Sequence, residues 1–447
     1  MTTSDGADTK PVVTDEAGMN GASDRHEIDG LLDDMAPFVR SITGDGVRAT
    51  LDVVRRHVPI DVIEVPTATP IFDWVVPEEW NVRAAYIEDP TGRRIVDMAA
   101  NALHLVSYSE PVDRVMPLVE LRGHLHAVAD HPDWIPYRTS YWNRTWGFCL
   151  TQTQLDGLAE GDYHVVIDSD FRTGSLTYGE LVIAGRTDEE IVVSTHTCHP
   201  QMVNDNLSGI AALALLGRRL AASGPLHHTV RLLLLPGTVG ALSWLATHGD
   251  VVPRIRGGLV VTGLGDASPL TLKASRRGNS RFDRVARRIV RRHDGQARLR
   301  DWDPYGYDER QFCAPGFDLP FVRLTRGVHG TYPEYHTSAD NRRFTSTAQI
   351  GRALDAMEDV IRSFDGDEVL VNRQPQGEPQ LGRRGLYRAV GGAVDAKSVE
   401  MAYLWVLSLA DGDHSIDDVV EIAGLDRAVV DEAIRRLADS DLVTGAR

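Results

Sequence analysis

The sequence predicts an α/β protein with a mostly parallel sheet covered by helices on both faces, an inserted mostly-β domain and a C-terminal winged helix. Three observations carry that expectation. From Glu190 to Gly327, the near-continuous apolar runs "EEIVVST", "HTVRLLLLP", "GGLVVTGL" and "LPFVRLTRG" alternate with helix patterns such as "GIAALALLGRRLAAS" and "GALSWLATHG". Strands with no polar alternation are buried on both faces, as in a parallel sheet between helical layers. Residues 71–161 instead show short β-rich runs, tryptophans and turn signals such as "DPTG". After about Pro375, "AKSVEMAYLWVLSLADG", "SIDDVVEIAG" and "LDRAVVDEAIRRLADSDLV" give the three helices of a winged helix.

The elements follow in order. Residues 1–26, rich in Gly, Ser, Thr and Asp, read as a disordered tail. "IDGLLDDMAPFVRSITGDGVRATLDVVRRHV" spaces its apolar residues by three and four, which predicts two amphipathic helices. Residues 27–70, which hold them, and 162–374 make up the α/β domain, 71–161 are its insert, and 375–447 the winged helix. "YHVVIDSDFRTGSLTYGELVIAG" reads as a hairpin turning at "SDFRTG". In the insert, Trp74, Tyr137 and Trp146 read as buried core, with a pocket wall as the alternative.

Composition narrows the functional classes. The 447 residues are 42% hydrophobic and 25% charged, as in a globular protein with a large core. No apolar run approaches the ~20 residues of a membrane span. The N-terminus lacks the basic start and apolar stretch of a secretory signal. Cys149, Cys198 and Cys313 are odd in number and unrelated in spacing, which predicts no disulfide framework. The expectation is a cytoplasmic protein. A net charge of −17 argues against nucleic acid and anionic membrane as general partners. "RVARRIVRRH" (Arg284 to His293) is expected to be a solvated helix face. In the last helix region, Asp426, Asp431, Glu432, Asp439 and Asp441 outnumber Arg427, Arg435 and Arg436. The winged helix is therefore expected to dock or oligomerise rather than read DNA. A homo-oligomer is left open.

The chemistry concentrates in "HTCHPQMVNDNLSG", His196 to Gly209, directly after a buried strand. Catalytic zinc takes three protein ligands and keeps one position open. His196 stands at a strand end, and Asp205 lies just before a helix whose N-terminus favours a carboxylate. "TYPEYHTSAD" offers His336 as a third ligand, with Asp340 expected to orient its imidazole. Cys198 is not expected to be a nucleophile, because thiol reactivity requires a lowered pKa.

These segments resemble the zinc aminopeptidases related to glutaminyl cyclase. "HTCHPQMVNDNLSGIAALALL" is similar to their metal loop, "YDERQFCAPGFDLPFVRL" to their later "sDh..F...GiP" segment, and "YHTSAD" to their "yHt..D". More closely, "FDWVVPEEWN", "IPYRTSYW", "WGFC", "HTCHP", "DERQFCAPGF" and "YPEYHTS" resemble a bacterial aminopeptidase-like branch with an inserted β domain and a C-terminal winged helix. The resemblance implies a phosphorylase/hydrolase-like fold and one zinc ion on His196, Asp205 and His336. It further implies hydrolysis of a peptide or amide bond in a small substrate, with Asp308 near the site. Asp308, Tyr335 and His199 are read as substrate contacts, and His199, a spare imidazole, has a place among the metal ligands as its alternative.

One departure stands against the match. Relatives carry a glutamate general base just after the second buried strand, where this chain reads "LLLLPGTVGALSW" and places Gly237. The usual aspartate on the third strand is also missing, since Asp266 lies beyond its position; one ion, not two, is expected. Losing a general base costs ~10²–10⁴-fold in rate. Glu334 and Glu309 are the candidate replacements. The expected function is a mono-zinc amide hydrolase. A repurposed zinc enzyme, for acyl transfer or cyclisation, and a non-catalytic zinc-binding scaffold are the alternatives.

Overall fold

The computed structural model describes residues 20–387 and 394–445. Most of the expected tail, residues 1–19, lies outside them, and its end is helical rather than disordered. Helix α1 (Asn20–Met35) is followed by α2 (Asp45–Arg55) and strand β1 (Asp61–Pro66). Four strands of the insert come next: β2 (Glu79–Glu88), β3 (Arg94–Asp97), β4 (Val112–Pro117) and β5 (Asp162–Arg172). Strands β6 (Ser175–Ile183) and β7 (Glu190–His196) lead to α3 (Ser208–Ala222). Then come β8 (Thr229–Leu235), α4 (Val239–Thr247), β9 (Ile255–Val261), β10 (Thr271–Lys273) and α5 (Arg281–His293). The domain closes with β11 (Arg298–Arg300), α6 (Glu309–Phe312), β12 (Phe321–Thr325) and α7 (Thr347–Gly366). The C-terminal unit contains β13 (Val369–Asn372), α8 (Val394–Leu409), β14 (Asp411–Ser415), α9 (Ile416–Ala423), α10 (Arg427–Asp439) and β15 (Val443–Gly445).

The main sheet has the order β1-β6-β8-β7-β9-β12-β10-β11. Its centre, β8, β7, β9 and β12, is parallel. Every residue of β7 and β8 is buried, and alternation decides which face each one serves. Ile191, Val193, Leu232 and Leu234 join α1, α2, α3, α5 and α7 in one core. Val192, Leu233 and Leu235 point the other way, to a second core shared with α4 and the insert. A side-chain period of 2 on a buried strand produces this division.

Several expectations change. "DFRTG" does not turn a hairpin. β5 pairs antiparallel with β2 and β4 in a four-stranded sheet, whereas β6 pairs with β1 and β8. Two adjacent strands with a turn between them look alike in sequence whether they pair or part; here residues 162–172 go with the insert. Likewise β13 pairs with β14 and β15, so the C-terminal unit starts near residue 368, before the expected 375. The arginine helix is not simply solvated. On α5, Arg284 Nε lies 2.8 Å from Asp418 Oδ2 and Arg288 Nη1 lies 3.1 Å from Asp418 Oδ1. Asp418 also caps α9 through Ser415, so one buried carboxylate both starts that helix and fixes the C-terminal unit to α5. Removing one partner of a buried ion pair costs about 2–5 kcal/mol, largely for stranding the other. Arg284→Ala is therefore expected to loosen this seam by about that much, with faster limited proteolysis around residue 368; unchanged cleavage would contradict the docking role.

All three cysteines are free and buried. Among the described residues, no helix is long and apolar enough to cross a membrane.

Candidate metal centre

The site forms where loops leave the carboxyl ends of the central strands, the usual position in an open α/β sheet. His196 is the last residue of β7 and is paired in register with Leu235 at the end of β8. Its Nε2 lies 2.8 Å from Asp205 Oδ1. His336 arrives from the loop after β12, and its Nε2 lies 3.1 Å from Asp205 Oδ2. His199 Nε2 lies 3.6 Å from that same oxygen. Three imidazoles thus converge on one carboxylate, which is fully buried.

The loop between β7 and α3 is shaped to hold that carboxylate. Asp340 accepts the backbone N–H groups of Val203, Asn204 and Asp205 at 3.1, 2.6 and 2.9 Å. It orients the loop and not, as expected, the His336 ring. Asn206 Nδ2 donates to Thr195 Oγ1 at 2.7 Å and to the His196 carbonyl at 2.9 Å, tying the loop back to the strand end. Burial alone would raise the Asp205 pKa, but the facing His199 and His196 outweigh it and hold the carboxyl well below its usual range. Burial lowers His199 to about 3, so its imidazole is neutral and able to ligate. Burial raises Cys198 to about 12, which agrees with the reading that it is not a nucleophile.

The donor set fits zinc. His196, His199 and Asp205 offer ligand atoms that all lie within 4.8 Å of one another. Ligands ~2.0–2.1 Å from a tetrahedral zinc are ~3.4 Å apart, close to the spacings around Asp205. His199, expected to contact substrate, belongs to this mutual group, while His336 joins through the outer oxygen of Asp205. A second imidazole three residues after the first was visible in "HTCH", but its direction was not.

Gly237 opens the site on the β8 side. A Cβ there would meet Cys198 Sγ at 3.3 Å and His196 Cβ at 3.8 Å, so its missing side chain leaves space alongside His196. A carboxylate is nearby: Thr238 N donates to Asp308 Oδ1 at 2.7 Å. Asp308 is buried, and burial raises it to about 6 against the effect of that hydrogen bond. Glu309 is placed elsewhere. Its Oε1 lies 3.1 Å from both Lys273 Nζ and Arg323 Nη1, all three buried, because a carboxylate entering the core needs cationic partners. It is committed to that cluster, which corrects its assignment as a catalytic candidate. The Glu334 carboxylate, two residues before His336, takes no hydrogen bond or ion pair among the described residues.

Aromatic rings complete the surroundings. Tyr335 stacks on His336 with centroids 3.9 Å apart, so this expected substrate contact packs against a ligand candidate. Tyr307, missed in sequence, stacks on His196 at 5.2 Å. Tyr137 of the insert lies 5.1 Å from both His199 and His336, and its N–H donates to the His336 carbonyl at 2.8 Å. It is buried and lines the site, so the two readings of Tyr137 both hold. Trp146 instead stacks on His124, and Trp74 is partly exposed.

Fold and site together define an aminopeptidase-like α/β protein with a C-terminal winged helix. A family model described as "Domain of unknown function (DUF4910)" matches residues 30–367, and one described as "winged helix-turn-helix" matches 368–445. The chain belongs to the DUF4910 family. It is 40% identical over 407 residues, 91% of this chain and 93% of the relative, to a candidate polysaccharide biosynthesis protein with an aminopeptidase-like domain from Clostridium acetobutylicum. A crystal structure of a peptidase candidate from Clostridium acetobutylicum superposes with a TM-score of 0.81 at 37% identity, covering 96% of this chain and 98% of that one. A zinc aminopeptidase from Bacillus subtilis shares the fold at a TM-score of 0.56 and 13% identity, over 76% of this chain and 94% of that one.

Proposed function

We propose that this protein is a mono-zinc hydrolase that cleaves a peptide or amide bond in a small conjugate. The observation that carries the reading is the convergence of His196, His199 and His336 on the buried Asp205 at the strand ends. Asp205 with these imidazoles would hold the ion, which when bound polarises a carbonyl and lowers the pKa of water. Asp308 takes the place of the missing glutamate: fixed by Thr238 N–H beside Gly237, it accepts the proton of the attacking water. Glu334, whose carboxylate takes no hydrogen bond or ion pair among the described residues and which lies two residues before His336, is the group assigned to a substrate ammonium. Tyr137, Tyr307 and Tyr335 exclude water around the imidazoles. The likeness to a candidate polysaccharide biosynthesis protein from Clostridium acetobutylicum supports a conjugate that carries a saccharide.

The test is Asp308→Asn with aminoacyl amides and glyco-conjugated amides as substrates. Loss of a positioned base is expected to lower kcat by about 10²–10⁴-fold with zinc content unchanged; full activity in that variant would remove Asp308 from the chemistry. A base must be ionised, and with a pKa of about 6 the Asp308 carboxyl is protonated below that pH and ionised above it. Activity is therefore expected to fall as pH drops through about 6. Asp308→Asn should abolish this acid limb, and a profile flat from pH 5 to 8 (the range about this pKa) in the wild type would contradict the role. The space at Gly237 favours one second reading, acyl transfer or cyclisation with an amine in place of water as the nucleophile.

A further inference from the structure

The insert carries an aromatic ridge that the hydrolase reading leaves unused. Trp142 is 52% exposed, Trp74 37% and Val75 53%. The two indoles meet edge to face with centroids 5.1 Å apart, so they present ring surface to solvent at an angle. Beside them is a cavity of about 260 Å³ whose lining includes Glu78, Tyr108, Asn143, Arg144 and Phe171. The Arg144 guanidinium lies 3.6 Å over the Phe171 ring and pairs with the Glu78 carboxylate. The ridge is joined to the metal centre by one short segment. Tyr141 contacts Trp142 with centroids 6.4 Å apart, the Tyr141 and Tyr137 hydroxyls are 2.8 Å apart, and Tyr137 lies against His199 and His336.

We propose that this ridge and cavity form a binding site for the saccharide portion of the substrate, a neutral hexose or N-acetylhexosamine unit. The inference rests on the reading of the protein as a hydrolase of a saccharide-bearing conjugate. The chemistry of the lining decides the class. Exposed indoles offer flat apolar faces to the C–H side of a pyranose ring. Asn143, Arg144 and Glu78 offer donors and acceptors at the rim for hydroxyl groups. Glu78 and Arg144 neutralise each other, so nothing in the lining calls for a charged ligand. At about 260 Å³ this cavity is smaller than the ~300–1,000 Å³ pocket of a drug-sized ligand, which limits its occupant to a single small unit, while its lining has the few convergent polar groups of a ligand site. A protein partner is a poorer match, because a stable interface needs about 800 Å² from each side and the exposed rings are few.

The test uses the full-length, zinc-loaded chain on an array of neutral and N-acetylated oligosaccharides, followed by titration of the best ligand monitored by tryptophan fluorescence. Binding is expected, with affinity about tenfold weaker in Trp142→Ala and in Arg144→Ala. Both residues are exposed, so these variants are expected to fold. His196→Ala should lose zinc yet keep glycan binding, which separates failure of this site from failure of the metal reading. No binding to any array member would overturn the proposal. So would a wild-type dimer that Trp142→Ala converts to monomer, since the ridge would then belong to a second copy of the chain.

Discussion

In an Asp308→Asn background, Gly237→Glu is expected to restore hydrolysis of an aminoacyl amide by about 10²-fold, the lower end of what a positioned general base supplies. The backbone at 237 is not in the left-handed region, so a side chain costs no special strain there. Its Cβ would meet Cys198 Sγ at 3.3 Å and little else nearby, and the thiol is a side-chain end that can give by the few tenths of an ångström required. In the wild-type background the same substitution is expected to gain little, because Asp308, bound to the next residue's N–H, already accepts the proton and like charges raise each other's pKa. Gly237→Gln fills the same space without a proton acceptor and is expected to give no gain. If Gly237→Glu stays inert on amides while the wild type transfers an acyl group to an amine, the acyl-transfer reading replaces hydrolysis.

The second large effect is expected from Asp205→Ala. This carboxylate is the shared partner of three imidazoles, at 2.8, 3.1 and 3.6 Å, so its loss removes one donor and the charge that gathers the others. Zinc content is expected to fall to background. Zinc-dependent stabilisation should vanish with it; ligand at a hundred times its Kd stabilises a folded chain by about 2.7 kcal/mol. His199→Ala and His336→Ala then rank the imidazoles. Larger zinc loss in His199→Ala would follow from its place in the tight group with His196 and Asp205; the reverse order would restore the set that the sequence motifs imply.

How far this arrangement was legible depends on what kind of information each part needs. The central strands were readable because total burial leaves an unbroken apolar run, as in "VRLLLLP". That His196, Asp205 and His336 come together was readable because strand-end position and motif order constrain them. The fate of β5 was not: "YHVVIDSDF" is a good strand whichever sheet it joins, and only the partner strands β2 and β4 decide it. Glu309 and Asp308 are adjacent in sequence, yet the start of α6 sends one toward Lys273 and Arg323 and the other toward Thr238. A one-residue difference in direction cannot be read without the packing. The role of Asp340 was missed for a related reason, since three backbone N–H donors leave no trace in side-chain chemistry. Tyr137 lies about 200 residues from His336 in sequence yet touches it, because the insert folds back over the site.

The central claim is that His196, His199, Asp205 and His336 form a zinc centre and not a hydrogen-bonded polar cluster. The most direct measurement is the zinc content of the purified full-length wild-type protein, alone and after incubation with zinc and removal of the excess, with Asp205→Ala beside it. About one zinc per wild-type chain is expected, and none above background in the variant. A wild-type protein that contains no zinc and takes up none would contradict the claim.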